Sequence, residues 1–220
     1  MTGYHPPLAG RRSALALGAA ALFAAALPWQ AAHAQTAAAS SPTMPVEALD
    51  NALLAAMKAG NGTPFAARYG ALAPVIEQVF DLEKVLAGSV GFSWPTLPPA
   101  QKASLAAAFR RYTVATYVAN FDSYDGQSFE VLPAVRAVGN GELVVQTRLI
   151  RRDKAPVALD YVMRRGADGW KVVDVLTDGS ISRVAVQRSD FQELLASGGV
   201  PALTDGLARK AENLSGGMLG

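Results

Sequence analysis

The 220-residue chain contains no cysteine. Disulfides therefore cannot brace it in an oxidising compartment, and a lipid anchor built on a cysteine at a processing point is excluded. Histidine is nearly as scarce, because His5 and His33 are the only two and both lie in the first 34 residues. Without that segment the chain has neither residue. That excludes Ser-His-Asp and Cys-His catalysis, zinc sites of the usual ligand types and histidine proton shuttles. Chemistry based on carboxylates and tyrosine stays open, and no cofactor is implied. Net charge is missing too. The chain has 20 Lys+Arg and 18 Asp+Glu, and Arg11 and Arg12 are the basic residues of the first 34, which leaves 18 of each sign. There is no basic footprint for nucleic acid and no polybasic membrane patch.

What is present begins with a targeting pattern. Arg11 and Arg12 form a short basic region, Ser13 to Leu27 is an apolar run, and Ala32-His33-Ala34 is a small-x-small cleavage site. The run is shorter than the roughly 20 residues a membrane span requires. Residues 1–34 are expected to be a signal peptide removed near Ala34, leaving the mature protein free in the periplasm. The residues after the Arg pair match a twin-arginine signal poorly, which points to ordinary secretion. Residues 35–44 read as a flexible leader, 45–212 as one α+β domain and 213–220 as a flexible tail. A mature chain of about 186 residues suits one domain with a sizeable core.

Val46, Leu49, Leu53, Leu54 and Met57 recur at helical spacing from Pro45 until Gly60-Asn61-Gly62 stops the run. A second helix is predicted from Pro64, with a kink or break at Pro74. A third, capped by Asp81, is predicted over 82–87 and ended by Gly88. Pro99 suits the first position of the longest helix, over 100–120. The period then changes to two. Four strands are predicted, joined at Asn140-Gly141, Asp153-Lys154 and Gly166 to Gly169, with a greasy and a wet face. Asp178-Gly179-Ser180 opens a helix from about Ile181 that Gly198-Gly199 ends, and a last helix covers 201–213. There is no internal repeat. The predicted fold is helices packed on one face of a curved four-stranded antiparallel sheet, enclosing an apolar pocket.

Candidate pocket residues follow from these periods. Val131, Val145, Leu159, Tyr161 and Met163 lie on the greasy face of the sheet, and Leu72, Ile76, Phe109, Tyr112 and Phe191 lie on facing helical stripes. Periodicity does not separate a cavity wall from a filled core, so both readings stay open for each. Two charged residues stand out as structural polar positions. Arg188 interrupts the apolar stripe of its helix, and Asp174 shares a strand face with Trp170. An ion pair between Arg188 and Asp174 at the pocket mouth is one reading. An Arg whose stem packs while its head reaches water is the other.

From Gly169 to Leu195 the chain reads Trp170-Lys171-Val172-Val173-Asp174-Val175, then Asp178-Gly179-Ser180-Ile181-Ser182, then Gln187-Arg188-Ser189-Asp190-Phe191. Ala73-Pro74-Val75-Ile76, Phe80-Asp81, Trp94, Gln101, Phe109 and Tyr117 precede it in order. In order and spacing, residues 45–210 resemble the toluene-tolerance/MlaC family of periplasmic phospholipid-binding proteins, with Thr177 to Ala185 nearest the hopanoid-associated HpnM branch. Pro98 departs from the pattern where a Ser or Thr usually caps the long helix.

The resemblance implies a soluble carrier of phospholipid or hopanoid. It would act between an inner-membrane ABC transporter with a lipid-binding ring protein and an outer-membrane lipoprotein complex or hopanoid-linked exporter, in keeping outer-membrane lipid asymmetry. Two other classes stay open. One is a small isomerase- or dehydratase-like enzyme using Asp160, Asp174 and Tyr161, although the Asp160–Tyr161 dyad is weakened because Asp160 alternates onto the wet face opposite Tyr161. The other is a ligand-free adaptor of envelope complexes.

Overall fold

The computed structural model describes residues 1–3 and 41–219. Every element below belongs to the unit Ala39–Gly220. The targeting segment, its cleavage site and residues 35–40 of the leader lie outside the described residues.

Helices come first. α1 spans Thr43–Ala59, α2 Phe65–Val79, α3 Leu82–Val90 and α4 Pro99–Asn120, with a 3-10 turn over Gly91–Thr96 before α4. Pro74 sits inside α2 without ending it. The lost backbone bond is outweighed by the burial of Leu72, Ala73, Ile76 and Val79 around it. The structure likewise carries α3 past Gly88, where a stop was expected. Gly88 is there for space, since a Cβ on it would lie 2.9 Å from Val184 Cγ1. α4 starts at Pro98-Pro99 with no side-chain cap, as the sequence suggested.

The sheet follows as β1 Ser128–Gly139, β2 Glu142–Arg151, β3 Lys154–Gly166, β4 Gly169–Thr177 and β5 Ile181–Ser182, in the order β1-β2-β3-β4-β5. All neighbours are antiparallel. Asn140 and Gly141 take the positive φ that a two-residue hairpin turn requires, at 50° and 73°. Pro133 falls in the register break of edge strand β1, where its missing donor costs no ladder bond.

The expected four strands become five. Ile181 and Ser182, read as the start of a helix, instead pair with Thr177 and Leu176. Ser182, and not Ser180, is the cap, accepting from Ala185 N at 3.0 Å. The last helix, α5, therefore begins at Arg183 and spans Arg183–Ser215, broken at Gly198 and Gly199. Gly199 has φ +65°, which glycine adopts freely, and the two halves correspond to the two helices expected there. Near the C-terminus Arg111 Nη1 donates to Leu219 O at 2.9 Å, and Leu219 packs on the core.

The main core fills the space between helices and sheet. The inner face of the sheet contributes Val145, Tyr161, Met163 and Val172, all buried. The outer face is not uniformly wet. Val144, Val162 and Val173 are buried there beside Leu176, and Asp160 is 3% exposed. Met163 pairs with Val172 but Val162 pairs with Asp174, so Val173 bulges out of β4. The bulge inverts the strand's alternation. Trp170 and Asp174, expected on one face, fall on opposite faces. Trp170 packs on the main core, while Asp174 stands opposite Val162 of the outer cluster. The free side of β4 explains the break: Val172 O accepts from Asp81 N at 2.9 Å, and Phe80 pairs with Val172.

Candidate functional site

Between α4, the opening of α5 and one end of the sheet's inner face lies a cavity of about 520 Å³. α4 supplies Phe109, Tyr112, Thr116, Tyr117 and Phe121, and the sheet supplies Leu149, Val157, Leu159, Tyr161 and Val175. The alternation of each strand places these sheet residues on one side, with Leu149 opposite Val157 and Tyr161 opposite Val175. The 22-residue α4 supplies most of the helical side, which Leu82 and Val85 of α3 and Val184 and Gln187 of α5 complete. Aromatic rings pack in a row along this side. Tyr117 stacks on Phe121 at 6.0 Å and tilts against Phe80 at 5.7 Å, and Phe121 continues to Phe129 at 6.1 Å.

Of the ten positions predicted for the pocket, Phe109, Tyr112, Leu159 and Tyr161 line this cavity. Leu72, Ile76, Val145, Met163 and Phe191 are buried in the packed core, and Val131 is half-buried against it. Phe191 reaches the wall indirectly, meeting Phe109 edge to face with ring centres 6.3 Å apart. The lining positions not singled out are of two kinds. Leu149, Val157 and Tyr117 follow the same periods as those chosen and were legible. Arg151, Arg183 and Gln187 were not, because they sit where the elements begin or end.

The polar pair expected at the mouth does not form. Asp174 accepts hydrogen bonds from Ser182 Oγ, from Val184 N at 3.0 Å and from Val175 N at 2.8 Å. Its carboxylate joins β4 to the first turn of α5, where the helix dipole favours it. Arg188 donates from Nε to Gly88 O at 2.8 Å, which ties α5 to α3. The bulge sets Asp174 opposite Val162 and Arg188 is held by Gly88 O, so each residue holds a different joint.

Inside, ionisation is suppressed. Burial pushes the Tyr161 phenol well above its ordinary value. Burial also raises Tyr117, partly opposed by the positive charge of Arg183. Thr113 Oγ1 and Arg151 Nε are buried with no hydrogen-bond partner among the described residues, and both residues line the cavity. The site offers a cavity walled by apolar side chains of α4 and the sheet, with polar side chains such as Asn120, Gln127 and Gln187 also on its lining. Asp160, one carboxylate weighed for acid–base work, is on the far side of the sheet, where Gln146 Nε2 donates to it at 3.4 Å.

Residues 47–209 match the family model described as MlaC protein. The fold is similar to that of the phospholipid-binding protein from Ralstonia solanacearum, whose structure was solved in complex with a phospholipid. The TM-score is 0.69 at 22% identity, covering 80% of this chain and 99% of that one. No helix among the described residues is long and apolar enough to cross a membrane.

Proposed function

From the premise that this chain belongs to the MlaC family, we propose that it is a periplasmic carrier that shelters the hydrocarbon of a membrane lipid while the lipid crosses water between the inner and outer membranes. The observation that carries this reading is the cavity of about 520 Å³ with its apolar walls. Each methylene moved from water into such a space is worth roughly 0.8 kcal/mol, so a lipid tail crossing unshielded would face a cost on the order of 10 kcal/mol. A dry hollow removes that cost without catalytic groups. The cargo is a phospholipid or a hopanoid. The carrier is the soluble component of an ABC-type transport system, with an inner-membrane transporter on one side and an outer-membrane complex on the other. Export follows from cleavage near Ala34, which leaves residues 35–44 as a leader to the lipid-binding domain.

The enzyme reading is weaker. Asp174 already accepts three hydrogen bonds, and Asp160 faces away from the Tyr161 ring. An adaptor with a filled interior fits less well than a carrier, because the hollow is there. Purified protein extracted with organic solvent should release lipid at near-stoichiometric level, identified by mass spectrometry. Extracts without lipid from protein that is folded and freshly prepared would rule the carrier out.

A further inference from the structure

α1 buries Val46, Leu49, Leu53, Ala56 and Met57, and one carboxylate, Asp50, is buried among them. Met57 is on the lining of the hollow. Asp50 precedes it by two helical turns on the same side of α1. Neither oxygen of Asp50 accepts a hydrogen bond from a described residue. A buried carboxylate without donors is unfavourable in its charged form. Burial, and then the charge of Glu47, lifts its pKa to about 7.

Glu47 stands one turn earlier on α1. Across from α1, the charge of Asp50 bears on the phenols of Tyr117 in α4 and Tyr161 in β3, and both rings line the hollow. The charged groups of the other elements against α1 are engaged elsewhere. On α2, Arg68 donates to Thr63 O, Val118 O and Asn61 Oδ1, and Glu77 pairs with Arg110. On β1, Glu130 pairs with Arg148, and Arg136 stands opposite Val144 of the outer cluster. On β4, Asp174 has its three donors and Lys171 stands opposite Arg164. Glu47 is the one charged side chain that bears on Asp50 among the described residues, so no cation compensates its ionisation.

Ionised Asp50 therefore has two sources of hydrogen bonds, a phenol of Tyr117 or Tyr161 and water from the hollow. Drawing a phenol towards it reshapes the lining, and water takes volume that hydrocarbon would fill. A lipid tail packed against those rings opposes both. Cargo and the charged carboxylate are thus in competition, and whatever favours one disfavours the other.

We propose that Asp50 is a proton switch on cargo retention: protonated, it leaves the hollow dry around a lipid tail, and ionised, it draws a phenol or water and loosens the tail. This rests on the carrier reading and adds its regulation. The test uses palmitoyl lysophosphatidylcholine below its micellar concentration, because its head group does not titrate between pH 6 and pH 8.5. The lipid is added to protein freed of co-purified lipid, and binding is followed by calorimetry. The dissociation constant of the parent should rise several-fold, up to about tenfold, from pH 6 to pH 8.5. At pH 7.5 binding should take up about half a proton per lipid, read by comparing two buffers of different ionisation enthalpy. Asp50→Asn should hold the parent's low-pH affinity throughout and take up no proton. Glu47→Gln, at an exposed position, removes the like charge and should move the parent's profile to lower pH without changing its low-pH plateau.

A level dissociation constant in folded parent, or an equal pH dependence in Asp50→Asn, overturns the switch and leaves carriage intact. Should Asp50→Asn fail to fold, the parent and Glu47→Gln decide, and absent proton uptake or an unmoved profile overturns the switch. A folded parent that binds the lysolipid at no pH overturns carriage and the switch with it.

Discussion

Asp50 lies on α1 with 5% exposure, and neither of its carboxylate oxygens has a hydrogen-bond partner among the described residues. Burial, and secondarily the charge of Glu47, raises its pKa from 3.8 to about 7. A carboxyl whose folded value is raised favours the native state while protonated. Its contribution is fully present below about pH 4 and is lost as pH climbs through 7. At roughly 1.4 kcal/mol per pKa unit, the parent should lose up to about 4 kcal/mol between pH 4 and pH 8. Asp50→Asn removes the ionisation, so its melting temperature should stay level from pH 5 to pH 8 while the parent's falls. Parallel pH profiles would show that the carboxyl is solvated.

Asp174 is the opposite kind of carboxylate, stabilised by every donor around it. Asp174→Ala leaves the first turn of α5 and Ser182 without their acceptor. It should cost about 2–4 kcal/mol, read as a lower urea midpoint with an unchanged slope.

Among the elements, α3 and α5 approach closely enough that Gly88 leaves no room for a side chain. Gly88→Ala gains helix propensity worth up to about 1 kcal/mol but forces Val184 aside, which costs about 1–3 kcal/mol. A net loss of stability is expected by thermal melt. Adding Val184→Ala should recover part of it, because the obstructing methyl groups are gone.

This glycine also shows where reading the sequence succeeds and fails. A Gly near the end of an apolar helical run signals a stop as readily as a close approach, and only the partner helix decides. Turn chemistry was unambiguous at Asn140-Gly141, since few other pairs tolerate those dihedrals, and strict alternation gave the inner faces of β2 and β3. The alternation of β4 could not be read through Lys171-Val172-Val173-Asp174-Val175. Its bulge is imposed by Phe80 and Asp81, which are some 90 residues earlier in the sequence. Likewise, Ser180 and Ser182 are equally good caps locally, and the pairing of β5 chose the second. Cavity wall and filled core share one hydrophobic period, so Leu72 and Leu159 read alike although only Leu159 meets the hollow.

For the whole molecule, the hollow sets capacity. At about 30 Å³ for a water-sized group, 520 Å³ holds roughly 17 such groups, the bulk of one acyl chain. A two-tailed cargo would leave part of its hydrocarbon outside the hollow unless α4 and the sheet separate. Leu159→Trp should fill the space without unfolding the protein. Bound lipid after extraction should drop by roughly an order of magnitude, with the melting temperature held or raised. Undiminished lipid in a stable Trp variant would move the binding site elsewhere.

If the helix wall must yield to admit cargo, what leans on that wall governs how easily it yields. The reversal at Gly198-Gly199 sends the last stretch of chain back towards α4, where Arg111 grips the carbonyl of Leu219 and Lys210 lies 6.0 Å over the ring of Tyr112. These contacts make the last described residues a buttress for α4. An extension fused behind them would pull on that buttress and so on the partition between cargo and solvent.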